Sequence, residues 1–449
     1  MNHTRKKSPI SWVPTAYFAM GLPFVVLNMV TVLMFKGLEV DDKLITFWTS
    51  LILLPWTLKP LWSPFLELFR TKKFFVVVTQ LVTGVTFGLV AFSLGLSHFF
   101  SVSIALLAVI AFSGATHDIA CDGVYMSELS NEDQAKFIGW QGAFYNIAKI
   151  IATGGLVYLA GYLIEANAEA GSLEASKKAW MIILLILSGT MILLGIYHYF
   201  ALPSTQNVKV KKIERNNKEI LKELGQVLMD FFRKTHIVYY ICFIILYRFA
   251  EGFVMKIVPL FLKADRTMGG LGLNEKEIGL YYGTYGAAAF VLGSLLAGYY
   301  IARRGLKNTL FTLCCIFNLP FVVYALFAYL QPESGWVICA GIVFEYFGYG
   351  FGFVGLTLFM MQQVAPGKHQ MAHYAFASGI MNFGVMIPGM LSGWVCESLG
   401  NWFDKPGGYE PFFIFVLIAT IPAFLITYFI PFKYDNAGNL IKGEREYIN

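Results

Sequence analysis

The sequence predicts an all-α integral membrane protein of about twelve transmembrane helices, arranged as two pseudo-symmetric six-helix bundles. Three observations predict it. The 449 residues are 57% apolar and only 14% charged, with a mean hydropathy of +0.61. The apolar residues fall into about twelve runs near the length of roughly 20 residues that crosses a bilayer as a helix. The longest polar stretch lies after the sixth run.

The runs lie near 14–35, 45–66, 74–96, 100–127, 137–163, 180–200, 237–262, 277–300, 309–330, 336–362, 369–396 and 411–431. Backbone groups in lipid must pair within their own segment, so these runs are helices. The short alternating strands of a β-barrel are not seen. The first run is too long for a signal-peptide core and lacks a cleavage site. Pro23, Pro259 and Pro388 are expected to kink their helices. In the tenth run, Gly348, Gly350, Gly352 and Gly355 allow close helix approach.

The expected organisation is an N-terminal bundle over 1–203, a linker over 204–235, a C-terminal bundle over 236–431 and a tail over 432–449. The linker carries Lys209, Lys211, Lys212, Arg215, Lys218 and Lys222. Residues 218–232 have the pattern of an amphipathic helix on the membrane surface, with a solvated tether as the alternative. The halves echo each other. ELFRTKK (67–73) corresponds to IARRGLKN (301–308), and Asn146 and Asn382 each precede small residues in the fifth and eleventh runs. Internal symmetry of this kind accompanies transporters that bind cargo between repeats.

Loops on the N-terminal side carry 22 Lys/Arg against 8 on the other side. Cytoplasmic loops are enriched in these residues, so both termini are expected to be cytoplasmic. This distribution accounts for the net charge of +6 without a nucleic-acid partner. Membrane lipid is the expected surrounding, and a monomer is expected. The six cysteines fall in or beside the runs and read as small buried apolar residues. Neither a metal site nor a cofactor is expected.

Charged residues inside the runs point to function. Asp118, Asp122, Glu251 and Glu345 stand against Lys149, Arg248 and Lys256. A charge inside a bilayer is unfavourable by several kcal/mol unless it is paired or faces water. At 1.5 Å per residue, Lys149, Arg248, Glu251 and Glu345 fall near the midplane, where cargo is expected to bind. Arg248 and Glu251 are three apart and share a helix face. Asp118 and Asp122 share a face nearer the cytoplasm, placed for proton coupling or gating. Four acids against three bases leave one carboxylate formally unpaired, which suits a proton carrier. A static ion-pair network is the alternative. Glu251 and Glu345 are also candidates for proton coupling. Lys256, near an outer end, is expected to snorkel.

Trp56, beside Pro55 in mid-run, is a candidate stacking platform in the pathway. Tyr247, Asn146 and Asn382 are further pathway candidates. Lys59 and Glu67 are read either as a cytoplasmic gate pair or as interface anchors.

Several of these segments resemble one family. GLP (21–23), LPWTLKPLWSPFLELF (54–69), ATHDIACDGV (115–124), YRFAE (247–251) and FEYFGYGFG (344–352) are similar to segments of AmpG-type muropeptide permeases. Those belong to the peptide–acetyl-coenzyme A transporter family of the major facilitator superfamily. The resemblance implies the major facilitator fold and proton-driven import across a bacterial inner membrane. It carries Asp118, Asp122, Arg248, Glu251 and Glu345 over as functional positions. The implied cargo is a cell-wall muropeptide or another amino-sugar saccharide. Acetyl-coenzyme A or another small organic solute is the alternative. The chain departs from the family pattern at His117, Tyr125, Ile147 and Ala302.

An intramembrane enzyme is the rival class, with Asp118 and Asp122 holding Mg²⁺ for a diphosphate. Such an enzyme normally needs a second acidic cluster, which the sequence does not offer. The chain is therefore read as a transporter and not an enzyme.

Overall fold

The computed structural model describes residues 7–62, 66, 71–129, 131–167, 169, 171–203, 217–367, 369–435 and 440–441. Among them, ten continuous helices are long and apolar enough to span a membrane. They are span 1 (Pro9–Gly37), span 3 (Lys72–Ser93), span 4 (Phe99–Glu128), span 5 (Trp140–Ala166), span 6 (Ser172–Ala201), span 8 (Glu275–Arg304), span 9 (Leu306–Leu330), span 10 (Gly335–Val364), span 11 (Ala372–Phe403) and span 12 (Tyr409–Tyr428).

The second and seventh apolar runs are helical but interrupted. Span 2 is Asp42–Leu51 followed by Leu54–Leu58. Pro55 lacks an N–H and is tolerated in the first turn of a helix, so the helix stops and restarts there. Span 7 is Ile237–Tyr247 followed by Phe249–Lys263. Its joint is Arg248, at φ −107° and ψ 7°. Spans 1, 5, 8 and 10 contain π-helical stretches at Val26–Val30, Ile151–Leu156, Gly279–Gly286 and Met360–Val364. Such stretches loosen the i→i−4 ladder and occur often at functional sites.

The chain forms two compact units. The first comprises Met1–Asp41, Leu51–Ile213 and Asn274–Thr284; the second comprises Asp42–Ser50, Glu214–Leu273 and Tyr285–Asn449. Each unit thus contains a short segment whose helix continues in the other unit. The first unit has an apolar core that includes Trp12, Tyr17, Val76, Val124 and Leu202. The second has a larger one, with Phe243, Tyr247, Phe317, Leu356 and Phe359.

Each crossing segment is seated by small residues. In the first unit, the start of span 8 is fixed by a capping box. Asn274 accepts from the Glu277 backbone N–H, and the Glu277 carboxylate accepts from that of Asn274. A methyl group at Gly283 would lie 2.0 Å from the Thr153 carbonyl oxygen, so only glycine permits span 8 to lie this close to span 5. In the second unit, Gly393 of span 11 plays the same part, since a methyl there would lie 2.6 Å from Thr46 Oγ1.

Candidate functional site

In the first unit, the acidic pair of span 4 is held by side chains from other helices. Trp56 donates its indole N–H to Asp118 Oδ2 at 2.9 Å. Lys59 Nζ lies 3.9 Å from the same oxygen. Asp118 Oδ1 is buried and has no hydrogen-bond partner among the described residues. One turn on, Tyr17 donates its hydroxyl to Asp122 Oδ1 at 2.8 Å, and Gln141 donates to the Tyr17 oxygen at 2.9 Å.

Trp56 is therefore not a free platform. It is buried, and its ring meets Phe24 edge-on at a centroid distance of 5.2 Å. Lys59 sits beside Asp118; Glu67, its expected partner, lies outside the described residues. Lys149 and Asn146 are half-buried on the helix that leads into the π-helical part of span 5. Asn146 donates to its own helix at the Gly142 carbonyl.

A second polar group in this unit was not expected. Gln80 bridges two imidazoles, at 2.8 Å from His117 Nε2 and 2.8 Å from His198 Nδ1. Thr15 Oγ1 lies 2.9 Å from His198 Nε2. This buried chain links spans 1, 3, 4 and 6 beside Asp118. A polar group buried in a low-dielectric interior must be hydrogen-bonded or destabilise the fold. The chain satisfies His117 Nε2, both ends of the Gln80 amide and both His198 nitrogens, and leaves His117 Nδ1 without a partner among the described residues.

In the second unit, Arg248 and Glu251 form the bidentate pair their spacing predicts. Nε and Nη2 donate to the two carboxylate oxygens at 2.5 and 2.6 Å. Both residues are buried, at 6% and 3% exposure. The guanidinium lies 5.1 Å from the Phe353 ring centroid, within cation–π range. The Tyr349 hydroxyl also bonds the pair. Glu345 accepts from the Tyr324 hydroxyl at 2.9 Å. Tyr247 is fully buried and donates to the Gly352 carbonyl at 2.9 Å, which makes it a structural tie between spans 7 and 10. Asn382 is half-buried on span 11.

Lys256 does not snorkel. It is 3% exposed, and its Nζ lies 3.4 Å from the Thr49 carbonyl oxygen. Thr49 belongs to the last turn before the span 2 interruption, where carbonyl groups lose their helical partners. An ammonium is a natural partner for such carbonyls.

Polar partners here that were not singled out in the sequence include Tyr17, Gln80, Gln141, His198, Tyr324 and Tyr349. A lone Tyr or Gln in an apolar run carries no signal of its partner. Among the described residues, no group of three or more His, Cys, Asp or Glu side chains is placed to hold a metal ion.

Three kinds of likeness bear on this arrangement. The anhydromuropeptide permease of Escherichia coli K12 is 22% identical, over 91% of this chain and 77% of that protein. A protein named putative transporter AmpG 1, from Rickettsia bellii, is also 22% identical, over 84% and 87%. Among solved structures, a D-xylose–proton symporter superposes with a TM-score of 0.72 at 12% identity, covering 96% of this chain and 99% of that one. The nucleoside transporter NupG gives 0.67 at 13% identity, covering 94% and 99%. These relatives are transporters and not enzymes. The family model described as Major Facilitator Superfamily matches residues 15–372 and 244–446, and the chain belongs to that superfamily.

Proposed function

We propose that this protein is a proton-coupled symporter that imports a muropeptide or another amino-sugar saccharide across a bacterial inner membrane by alternating access. Both termini are then cytoplasmic, and the monomer is the working unit. The observation that carries this reading is the buried carboxylate of Asp118. One of its oxygens is held by Trp56 and faced by Lys59, and the other is buried without a hydrogen-bond partner among the described residues. A buried carboxylate of this kind exchanges a proton without dismantling its surroundings, because Oδ2 keeps its donor while Oδ1 takes the proton.

The second unit supplies the cargo-binding chemistry. Arg248, Glu251 and Glu345 are charged groups already held in place, and Tyr349 and Phe353 offer aromatic faces beside them. Sugar hydroxyls and amides pair with the former, and pyranose faces pack on the latter. Asn382 extends this polar set within the second unit, and Lys149 and Asn146 are assigned to the cargo pathway of the first. Asp122, with Tyr17 and Gln141, is assigned to gating with Lys59. The crossing segments 42–50 and 274–284 support alternating access, because each is held in one unit while its helix continues in the other. The saccharide assignment follows the permease relative.

The test is uptake by proteoliposomes under an imposed pH gradient, acid outside, with an anhydro-muropeptide as cargo. Accumulation that an uncoupler abolishes supports the reading. Uptake indifferent to both the gradient and the uncoupler would remove the proton from the mechanism.

A further inference from the structure

The helix Asn217–Phe232, between the two halves of the chain, ends in a firm mount on the second unit. Phe231 is fully buried and packs on His373 and Phe376 of span 11, each at 5.7 Å between ring centroids. His373 Nε2 donates to the Val227 carbonyl at 3.2 Å, and Asp230 lies 3.8 Å from His369 Nε2. Just beyond the helix, Lys234 Nζ donates to the carbonyls of Val364, Ala365 and Pro366 at 2.6, 3.2 and 2.8 Å. The first of these is the last residue of span 10, and the other two follow it directly. The mount therefore stands at the ends of spans 10 and 11.

The side of the helix turned away from the mount is apolar. Leu228, Met229 and Phe232 are 42%, 53% and 53% exposed. Their spacings of three and four residues put them on one stripe. Water is a poor environment for such a stripe, and the second unit does not cover it. The docking face of span 11 continues, seven residues beyond Phe376, into exposed apolar positions at Phe383, Ile387 and Leu391. The surrounding sequence is basic: residues 208–234 contain eight Lys/Arg against four Asp/Glu. An apolar stripe on a helix whose sequence carries an excess of positive charge is complementary to an anionic lipid surface, with acyl chains for the stripe and headgroups for the cations.

We propose that this helix is an anionic-lipid-binding foot, clamped through Phe231, Asp230 and Lys234 to the ends of spans 10 and 11. Its occupant is the anionic surface of the leaflet. Because the foot is fixed to the second unit, lipid engagement bears directly on spans 10 and 11, the first of which carries Glu345. The inference stands apart from the transport reading and concerns a different part of the molecule.

The test uses the full chain in nanodiscs, with Met229→Cys carrying an environment-sensitive dye in a Cys242→Ser background. A second label at Gly225→Cys covers the case in which the first disturbs folding, since that position opens onto empty space. Neutral phosphatidylcholine discs are compared with discs containing phosphatidylglycerol. The expected result is a blue-shifted emission that lipids with a headgroup-proximal spin label quench, strengthened by the anionic lipid and weakened by salt. Lys218→Gln and Lys222→Gln should each lower the preference for anionic lipid by up to about fivefold. Water-like emission in both discs overturns the proposal in favour of a solvated tether. A blue shift that no lipid quencher reaches overturns it in favour of a protein contact. Lipid quenching indifferent to lipid charge overturns the anionic assignment.

Discussion

Lys43 reaches Glu397 at 2.8 Å, and the same contact is repeated in the other half of the chain between Lys276 and Glu165. Lys276 stands 233 residues after Lys43, and Glu397 stands 232 after Glu165. The two pairs are therefore internal equivalents. Each joins a crossing segment to the unit that holds it: 42–50 in the second, 274–284 in the first.

Glu397→Gln and Glu165→Gln should each weaken the seating of one crossing segment. All four side chains are partly exposed, so each pair contributes at most about 1 kcal/mol. The readout is the alkylation rate of Thr46→Cys, a position fully buried against span 11. The rate should rise up to about fivefold in Glu397→Gln. The exchanged pair Lys43→Glu with Glu397→Lys should restore it. An unchanged rate in the single variant would mean the pair is surface decoration.

Asp118→Asn should abolish accumulation driven by a pH gradient while leaving exchange of labelled for unlabelled cargo intact. The amide keeps the shape of the side chain but cannot cycle a proton. Trp56→Phe removes the donor to Asp118 and keeps most of the ring. A hydrogen bond to a charged group contributes about 1.5–3 kcal/mol, so gradient-driven uptake should fall by roughly tenfold or more. Full accumulation by Asp118→Asn would move the proton site elsewhere.

Arg248 and Glu251 form a buried ion pair, and breaking one side is worse than removing both. A charge left unpaired there destabilises by about 3–5 kcal/mol. The melting temperature in detergent should therefore drop more for Arg248→Met or Glu251→Gln than for the double variant. Uptake should stay absent in the double variant even where stability returns. That split separates holding the fold together from binding cargo.

Much of this was legible in the amino-acid order, and the limits have physical causes. Ten of the expected spans are continuous helices because their apolar runs are unbroken. The second and seventh are divided, at Pro55 and at Arg248, where a residue serves the site or the turn instead of the helix. The Arg248–Glu251 pair was readable because both partners lie on one turn. The partners of Asp122 and Glu345 were not, since Tyr17 and Tyr324 come from other helices and nothing local marks them. Lys256 misled because nearness to a helix end says nothing about which way a side chain turns. Here it turns inward, onto the interrupted end of span 2.

Gly283 and Gly298 lie on the same helix and should respond in opposite ways to alanine. At Gly298 a methyl group would meet nothing within 4 Å. Alanine there should be neutral or stabilise by about 0.5–1 kcal/mol, because glycine in a helix interior carries an entropic penalty. At Gly283 the methyl would lie 2.0 Å from the Thr153 carbonyl oxygen and 2.5 Å from the Gly154 nitrogen. Both are backbone atoms, so neither can rotate away, and the helices must separate. Overpacking of this kind costs about 1–3 kcal/mol. The strain is confined to the state in which 274–284 is seated in the first unit, so it should bias the protein away from that state as well as lower its melting temperature. Gly283→Ala should therefore act in the same direction as Glu165→Gln. Alkylation of a cysteine placed at Thr284, which touches Gly154, should speed up in both. If Gly283→Ala left that rate unchanged, the close approach of spans 5 and 8 would be incidental to the working cycle.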